Sequence, residues 1–311
     1  MWSAPEPAIM TARHARAEME DLCATHPCYT EDASLRYGRV HLAVASRCNL
    51  GCNYCERYLG AAAFLVGGPG SAEQMLSPTE ALERVTEIKA RGWLRVVGIA
   101  GPGEPLANPE TLKTLRLVAD AHPDLLLCLS TNGLLLSERL DDLVQIGVRA
   151  VTVTVNTVRA ETAYALYDWA RIEGRLLTGH KPAEDVLSRQ WDGLARAAQA
   201  GLLVKVNSVL VPGINDDDLA NVAKRAAGLR VARHNIMPLI PRGRMRERRA
   251  PTSGELEAVR SQCERWLVQF RGCQQCRADV IAPPRGAQRE PAWQILEDAH
   301  ITKKTAARAG R

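Results

Sequence analysis

The sequence predicts an α/β protein, a partial (β/α)6 TIM-type barrel with N- and C-terminal extensions. Two observations predict it. From Arg39 onward, six short β-branched runs alternate with helical patterns, the order that βα units of a parallel sheet produce. Cysteines and uncommon polar residues then fall just after those runs, on the loops where such barrels carry their chemistry.

The strands expected are Val40 to Ala45, Arg95 to Ala100, Leu125 to Ser130, Ala150 to Asn156, Leu203 to Val209 and His234 to Leu239. Helix starts are marked between them. Ser77-Pro78-Thr79-Glu80 reads as a capping box with proline at the first helical position, Asn108-Pro109 repeats the cap-plus-proline pair, and Thr252 to Glu255 is a second box. Behind the strands come Cys48, then Gly101-Pro102-Gly103-Glu104, then Ser130-Thr131-Asn132-Gly133, while Asn156 ends the fourth strand and Asn207 lies late in the fifth. Four segments follow: an extension over 1–38 that contains His26-Pro27-Cys28, a barrel core over 39–250, a helix and Cys-x2-Cys segment over 251–285, and a basic tail over 286–311 whose composition predicts disorder.

Composition narrows the class. No Ser/Gly or Pro tract divides the 311 residues, so one large domain is expected. The net charge of +5 comes from dispersed arginines and is too small for a nucleic-acid-binding protein. No apolar run approaches the roughly 18 residues of a membrane span, and residues 1–30 lack a signal-peptide core, so a cytoplasmic protein is expected. In a reducing cytoplasm the nine cysteines are poor disulfide candidates, and metal binding is the better reading of clustered ones.

Cys48, Cys52 and Cys55 follow a C-x3-C-x2-C spacing within RCNLGCNYCERYLG (Arg47 to Gly60). Such a loop wraps three thiolates around one face of a cubane iron-sulfur cluster and leaves the fourth iron open. The competing reading is a four-thiolate zinc site pairing Cys52-x2-Cys55 with Cys273-x2-Cys276, which leaves Cys48 without a role. The three-cysteine motif, with Tyr54 before its last cysteine, resembles that of the radical S-adenosylmethionine (radical SAM) superfamily. That resemblance implies a [4Fe-4S] cluster whose open iron binds S-adenosylmethionine, and one-electron cleavage of the sulfonium to a 5′-deoxyadenosyl radical. It also implies that Gly101, Gly103 and Glu104 hold the cofactor's amino group. Ser130, Thr131, Asn132 and Asn156 are candidates for its ribose or carboxylate, and Ile236 for the border of its adenine; each reads equally well as a cap, turn or core residue.

A narrower resemblance rests on eight blocks in order: HPCY (His26 to Tyr29), VHLAVA, VVGIAGPGEPLANP (Val96 to Pro109), LCLSTNGL (Leu127 to Leu134), VTVTVN (Val151 to Asn156), LVKVNSVLVPGIND (Leu203 to Asp216), HNIMPLI (His234 to Ile240) and CQQCRAD (Cys273 to Asp279). These resemble the NifB family of nitrogenase cofactor biosynthesis proteins. The resemblance implies that two further [4Fe-4S] clusters are bound as substrates and fused, with a carbide from S-adenosylmethionine and an additional sulfur, into an eight-iron precursor. It implies that Cys28, His41 and Cys128 hold the first substrate cluster, and that Cys273 and Cys276 hold the second, with Cys263 a helper. The implied partners are a low-potential ferredoxin or flavodoxin, iron-sulfur cluster supply proteins, and a nitrogenase cofactor carrier and maturation scaffold; neither nucleic acid nor membrane is expected. A peptide-modifying radical enzyme with auxiliary clusters and a non-catalytic iron-sulfur scaffold are the alternatives.

The chain leaves the family pattern in three places. Glu56 to Gly70 replaces a segment that usually supplies an acid and an arginine near the cofactor, Ser34 and Leu35 stand where a histidine pair is usual, and the loop after Ile240 is short and Arg-rich. No appended carrier domain is expected. His41 precedes Cys48 by seven residues, about 23 Å if fully extended at ~3.3 Å per residue. Either this segment bends, or the cluster held by His41 lies deep in the barrel.

Overall fold

A computed structural model describes residues 12–179 and 181–286. Helices α1 (Ala12–Thr25) and α2 (Glu31–Arg36) lead into β1 (Gly38–His41). The cysteine loop contains β2 (Leu50–Cys52), and is followed by β3 (Tyr58–Leu59), α3 (Ala61–Val66) and β4 (Ser71–Ala72). Helix and strand then alternate as α4 (Pro78–Lys89), β5 (Leu94–Ile99), α5 (Pro109–Ala121), β6 (Leu126–Thr131), α6 (Leu136–Ile146) and β7 (Val148–Thr154). After α7 (Ala160–Leu166) come a hairpin of β8 (Tyr167–Ile172) and β9 (Arg175–Thr178), then α8 (Lys181–Gln199), β10 (Leu203–Leu210), α9 (Leu219–Gly228), β11 (Arg233–Pro238), α10 (Ser253–Glu264) and β12 (Ile281–Ala282).

The main sheet has the order β11-β10-β7-β6-β5-β1-β12, with six parallel strands and an antiparallel β12 at one edge. It is the partial barrel that the βα alternation predicts. One core runs between the sheet and its outer helices, with Leu115, Leu129, Leu143, Val151 and Leu194 fully buried within it. Burying a side chain of this size contributes about 1.5–3 kcal/mol. Both predicted capping boxes form: Ser77 and Thr252 each accept the N3 backbone N–H, and Glu80 and Glu255 return to the cap N–H.

Two local expectations are corrected. The first strand is Gly38–His41, not Val40 to Ala45, because the chain bends after His41: Leu42 N–H still reaches Gly98 C=O at 2.9 Å, but Val44 N–H turns back to Leu42 C=O at 3.0 Å. Asn108 stands at the N-cap of α5 with Pro109 behind it, yet its side chain makes no cap hydrogen bond and serves the site described below. The basic tail expected over 286–311 lies outside the described residues except for Gly286.

Candidate cluster and cofactor site

A cavity of about 930 Å³ occupies the inside of the half-barrel. Its wall follows from the period of two in a strand: Cys128 and Ser130 of β6, Thr152 and Thr154 of β7, and Lys205 and Asn207 of β10 are alternate residues that share the inner face. Arg39 and His41 of β1 and Gly98 of β5 continue it. Cys28, Cys48, Cys52, Cys55, Cys273 and Cys276 all line this one cavity, and all are free thiols.

The cysteine loop is held from four sides. β2 pairs antiparallel with β8, and Gly51 is required there because a Cβ would lie 2.2 Å from Trp169 Nε1. Asn53 N–H donates to Leu166 C=O at 2.8 Å, and its carbonyl accepts from Met245 N–H at 3.1 Å. Asn49 Oδ1 accepts from Asn132 Nδ2 at 2.7 Å, and Gln190 Nε2 in turn donates to Asn132 C=O at 2.9 Å. Asn108 completes the clamp: its Oδ1 accepts Arg47 N–H at 3.1 Å while its Nδ2 donates to the carbonyls of Arg47 and Glu104 at 2.9 and 2.7 Å.

The Gly-Pro-Gly-Glu turn is bonded directly to that loop. Gly103 N–H donates to Ala45 C=O at 2.7 Å and Glu104 N–H to Arg47 C=O at 2.8 Å. A Cβ on Gly103 would meet Arg47 O at 2.2 Å, so this approach needs glycine. The buried Glu104 carboxylate accepts from Thr131 Oγ1 at 2.6 Å, Asn132 N–H at 2.7 Å and Leu106 N–H at 3.0 Å. Burial pushes its pKa up to about 7, against the pull of those three donors. Ser130, Thr131 and Asn132 line the cavity beside it, whereas Gly101, with φ of 129°, stands just behind the wall.

Deeper in the barrel, a Cβ built on Gly98 would lie 3.1 Å from His41 Cδ2, 3.6 Å from His41 Nε2 and 3.4 Å from Cys128 Sγ. The imidazole and the thiol therefore face the same space over Gly98. His41 Nδ1 lies 3.3 Å from Arg277 C=O, which fixes Nδ1 as the protonated nitrogen and leaves Nε2 with a free lone pair. Burial, then the charge of Arg39, holds the His41 pKa down at about 4, so the ring is neutral near pH 7. Cys273 and Cys276 arrive on the segment after α10, which bonds back to β1 through His41 N–H to Val280 C=O at 2.8 Å.

Three candidate residues stand elsewhere. Asn156 is fully buried outside the cavity wall; its Nδ2 donates to the hydroxyls of Tyr54 and Tyr167 at 2.7 and 3.2 Å, and its Oδ1 accepts Val209 N–H at 2.8 Å. Its amide is spent on positioning Tyr54 rather than turned to a ribose. Ile236 is also buried behind the wall, and Cys263 lies in the apolar core under α10, where burial pushes its thiol up to about 12.

The thiols fit iron-sulfur chemistry. Burial pushes Cys48 up to about 11 and Cys52 and Cys55 upward, so thiolates there need a cation to stabilise them. Among the described residues no three Cys, His, Asp or Glu converge on a point where one metal ion would bind. Seven thiols and the His41 imidazole line one cavity, a donor set that polynuclear iron-sulfur clusters take.

The comparisons decide the family. The Radical SAM superfamily profile matches residues 42–226. The FeMo cofactor biosynthesis protein NifB of Klebsiella pneumoniae is 44% identical over 271 residues, and that of Methanocaldococcus infernus is 39% identical over 266. The chain belongs to the NifB family of the radical SAM superfamily. The matches cover 84% and 85% of this NifB-family chain; it spans 57% of the length of the Klebsiella relative and 87% of the Methanocaldococcus one. Streptococcus suis SuiB shares the fold at a TM-score of 0.55 and 13% identity, covering 88% of this chain and 57% of SuiB. A radical SAM methyltransferase from Sphaerobacter thermophilus shares it at 0.52 and 20%, covering 78% and 70%. The described residues contain no helix long and apolar enough to cross a membrane.

Sequence reasoning missed several contributors to the site. Trp169 and the β8–β9 hairpin escape it because short antiparallel additions break the βα rhythm. Gln190 is hidden in an amphipathic helix. His26, Arg39 and Lys205 were legible in part, since the alternation Arg39/His41 and Lys205/Asn207 marks one polar face on each strand. Where Glu56 to Gly70 departs from the family pattern, Glu56 and Arg57 line the cavity mouth, and Arg242 of the Arg-rich loop donates to the carbonyls of Val66 and Gly67 at 2.8 and 2.9 Å.

Proposed function

We propose that this chain is a radical SAM enzyme of nitrogenase cofactor biosynthesis that joins two [4Fe-4S] substrate clusters, with a carbide from S-adenosylmethionine and an added sulfur, into an eight-iron precursor. The observation that carries this reading is the convergence of three ligand groups on one cavity: Cys48, Cys52 and Cys55 at the mouth, Cys28, His41 and Cys128 deeper in, and Cys273 and Cys276 on the closing segment. A simple radical enzyme has use only for the first group. The names of the relatives, FeMo cofactor biosynthesis protein NifB, point the same way.

In this reading Cys48, Cys52 and Cys55 hold the resident [4Fe-4S] cluster, which when bound with S-adenosylmethionine supplies one-electron cleavage of the sulfonium. Glu104 and the Gly103 turn receive the cofactor's amino group, and Ser130, Thr131 and Asn132 border its polar end. The bond from Glu104 N–H to Arg47 C=O ties that pocket to the cysteine loop, so cluster and cofactor keep one relative position. His41 offers a neutral nitrogen, a ligand that carries no charge and holds cluster iron less strongly than a thiolate does, which suits a cluster that must later leave. The partners this reading requires are a low-potential ferredoxin or flavodoxin, an iron-sulfur cluster supplier, and a cofactor carrier or maturation scaffold that takes the product.

Anaerobic reconstitution with counts of iron and sulfide tests it. About twelve irons per chain with cleavage of S-adenosylmethionine is the expected result. Cys48→Ala should abolish cleavage, while Cys276→Ala should cleave and yet form no eight-iron product. A wild-type chain that takes up only about four irons, or a Cys276→Ala variant that still delivers active precursor, overturns the assignment.

A further inference from the structure

The deep end of the cavity is polar in a one-sided way. His26, Arg39 and Lys205 line it at 1%, 8% and 5% exposure. His26 Nδ1 accepts the Cys28 N–H at 3.1 Å, which puts the ring proton on Nε2, and Nε2 is buried with no partner. Arg39 donates one terminal N–H to Cys276 Sγ at 3.0 Å, and its Nε–H has none. Lys205 Nζ donates to Cys28 C=O at 3.0 Å and lies 5.0 and 5.4 Å from the ring centres of Tyr29 and Phe270.

Neither cation has a carboxylate partner among the described residues. The ion pairs among the described residues involve other groups throughout, and none includes Arg39 or Lys205. Burying two uncompensated charges is unfavourable unless something in the cavity answers them. The unmet capacity of these three side chains is donor capacity, so what answers them is an anion that accepts hydrogen bonds. A cubane cluster held by thiolates has that character: its net charge is negative and its sulfurs accept hydrogen bonds.

We propose that His26, Arg39 and Lys205 form an anion cage that binds and charge-compensates the substrate cluster held by Cys28, His41 and Cys128, with Arg39 reaching across to the Cys276 ligand of the second. The inference rests on the cluster reading above and adds to it three residues that are not ligands. The cage keeps the cluster's negative charge tolerable in a buried site, and it raises the cluster's reduction potential, because nearby positive charge favours the more negative, reduced state.

The test uses Lys205→Met, Arg39→Met and Lys205→Arg in the full chain, with three readouts. In the cluster-free protein, urea unfolding of the two methionine variants should have a midpoint equal to or above that of the wild type, because each removes an uncompensated buried charge. After anaerobic reconstitution with ferrous iron and sulfide, each methionine variant should hold about four irons fewer than the wild type, and any substrate cluster it retains should have a more negative midpoint potential in an EPR-monitored titration. Lys205→Arg, which keeps the charge, should restore the iron. Methionine variants that load like the wild type with an unmoved potential overturn the cage, and so does a marked loss of stability in the cluster-free form, which would mark a packing role. A wild-type chain that takes up only about four irons instead overturns the underlying cluster reading, and the cage falls with it.

Discussion

Asn156→Ala separates a cofactor contact from a positioning role. The Asn156 amide accepts from Val209 N–H at 2.8 Å and donates to the hydroxyls of Tyr54 and Tyr167 at 2.7 and 3.2 Å, the first and last of these bonds buried and the Tyr54 bond part-buried. Truncation strands the Val209 amide, which costs about 1–3 kcal/mol, and removes two hydroxyl bonds at a net ~1 kcal/mol each. The expected loss is therefore on the order of 3–5 kcal/mol, large beside a typical domain stability of roughly 5–15 kcal/mol. Urea unfolding of the cluster-free protein measures it. Tyr54→Phe removes one of the three bonds, so a double-mutant cycle with Asn156→Ala should return a coupling of about 1 kcal/mol. If Asn156→Ala leaves stability within about 0.5 kcal/mol of wild type and weakens only the affinity for S-adenosylmethionine, the residue is a cofactor contact and the reasoning is wrong.

Three further outcomes follow from named contacts. Gly103→Ala puts a Cβ 2.2 Å from a backbone carbonyl, so the turn must shift off Arg47, and cofactor binding by equilibrium dialysis should be lost while far-UV circular dichroism stays native. Cys263→Ala, in the core rather than on the cavity, should lower stability by about 1 kcal/mol and leave the iron count unchanged; a drop in iron would return Cys263 to the ligand set. His234 is buried with Ser208 Oγ 2.9 Å from Nε2, and burial holds its pKa down at about 3. The unfolded chain, with histidine near 6.5, binds that proton first, so the stability this residue contributes is complete above pH 6.5 and falls by about 1.4 kcal/mol per unit as pH drops towards 3. The difference between wild type and His234→Gln should carry that slope between pH 6 and 4; a flat difference would show His234 exposed to solvent.

The strand-by-strand pattern was legible because the six parallel strands impose continuous apolar runs with caps between them. All six barrel strands stand where the runs placed them to within a few residues, the first excepted at its C-terminal end. The cysteines of the cavity were legible as a group because their spacing is distinctive, and seven of the nine line it. What stayed hidden were residues whose role depends on distant partners. Asn108 reads as a cap from its local neighbours, yet it bonds Arg47, sixty-one positions away in sequence. Asn156 reads as a ligand residue from its place at a strand end, yet three long-range partners consume its amide. A polar residue's function is set by which donors and acceptors remain unspent, and only tertiary structure shows that.

The same accounting settles the spacing between His41 and Cys48. A fully extended segment would span about 23 Å at ~3.3 Å per residue, but β1 ends at His41 and the Val44 N–H to Leu42 C=O bond turns the chain just beyond it. Cys128 and Ser130 mark two levels of the inner wall, two residues apart on β6 and therefore about 6.6 Å apart along the strand. His41, in register with Gly98, which pairs in turn with Cys128, belongs to the lower level, while Ser130, Thr131 and Glu104 belong to the upper one. The residues proposed to hold the substrate cluster and those proposed for the cofactor thus lie at successive levels along the barrel rather than side by side. A row slip of one residue in β6 would turn Cys128 and Ser130 away from the cavity together. The tight strand register is therefore a condition of the chemistry as well as of the fold.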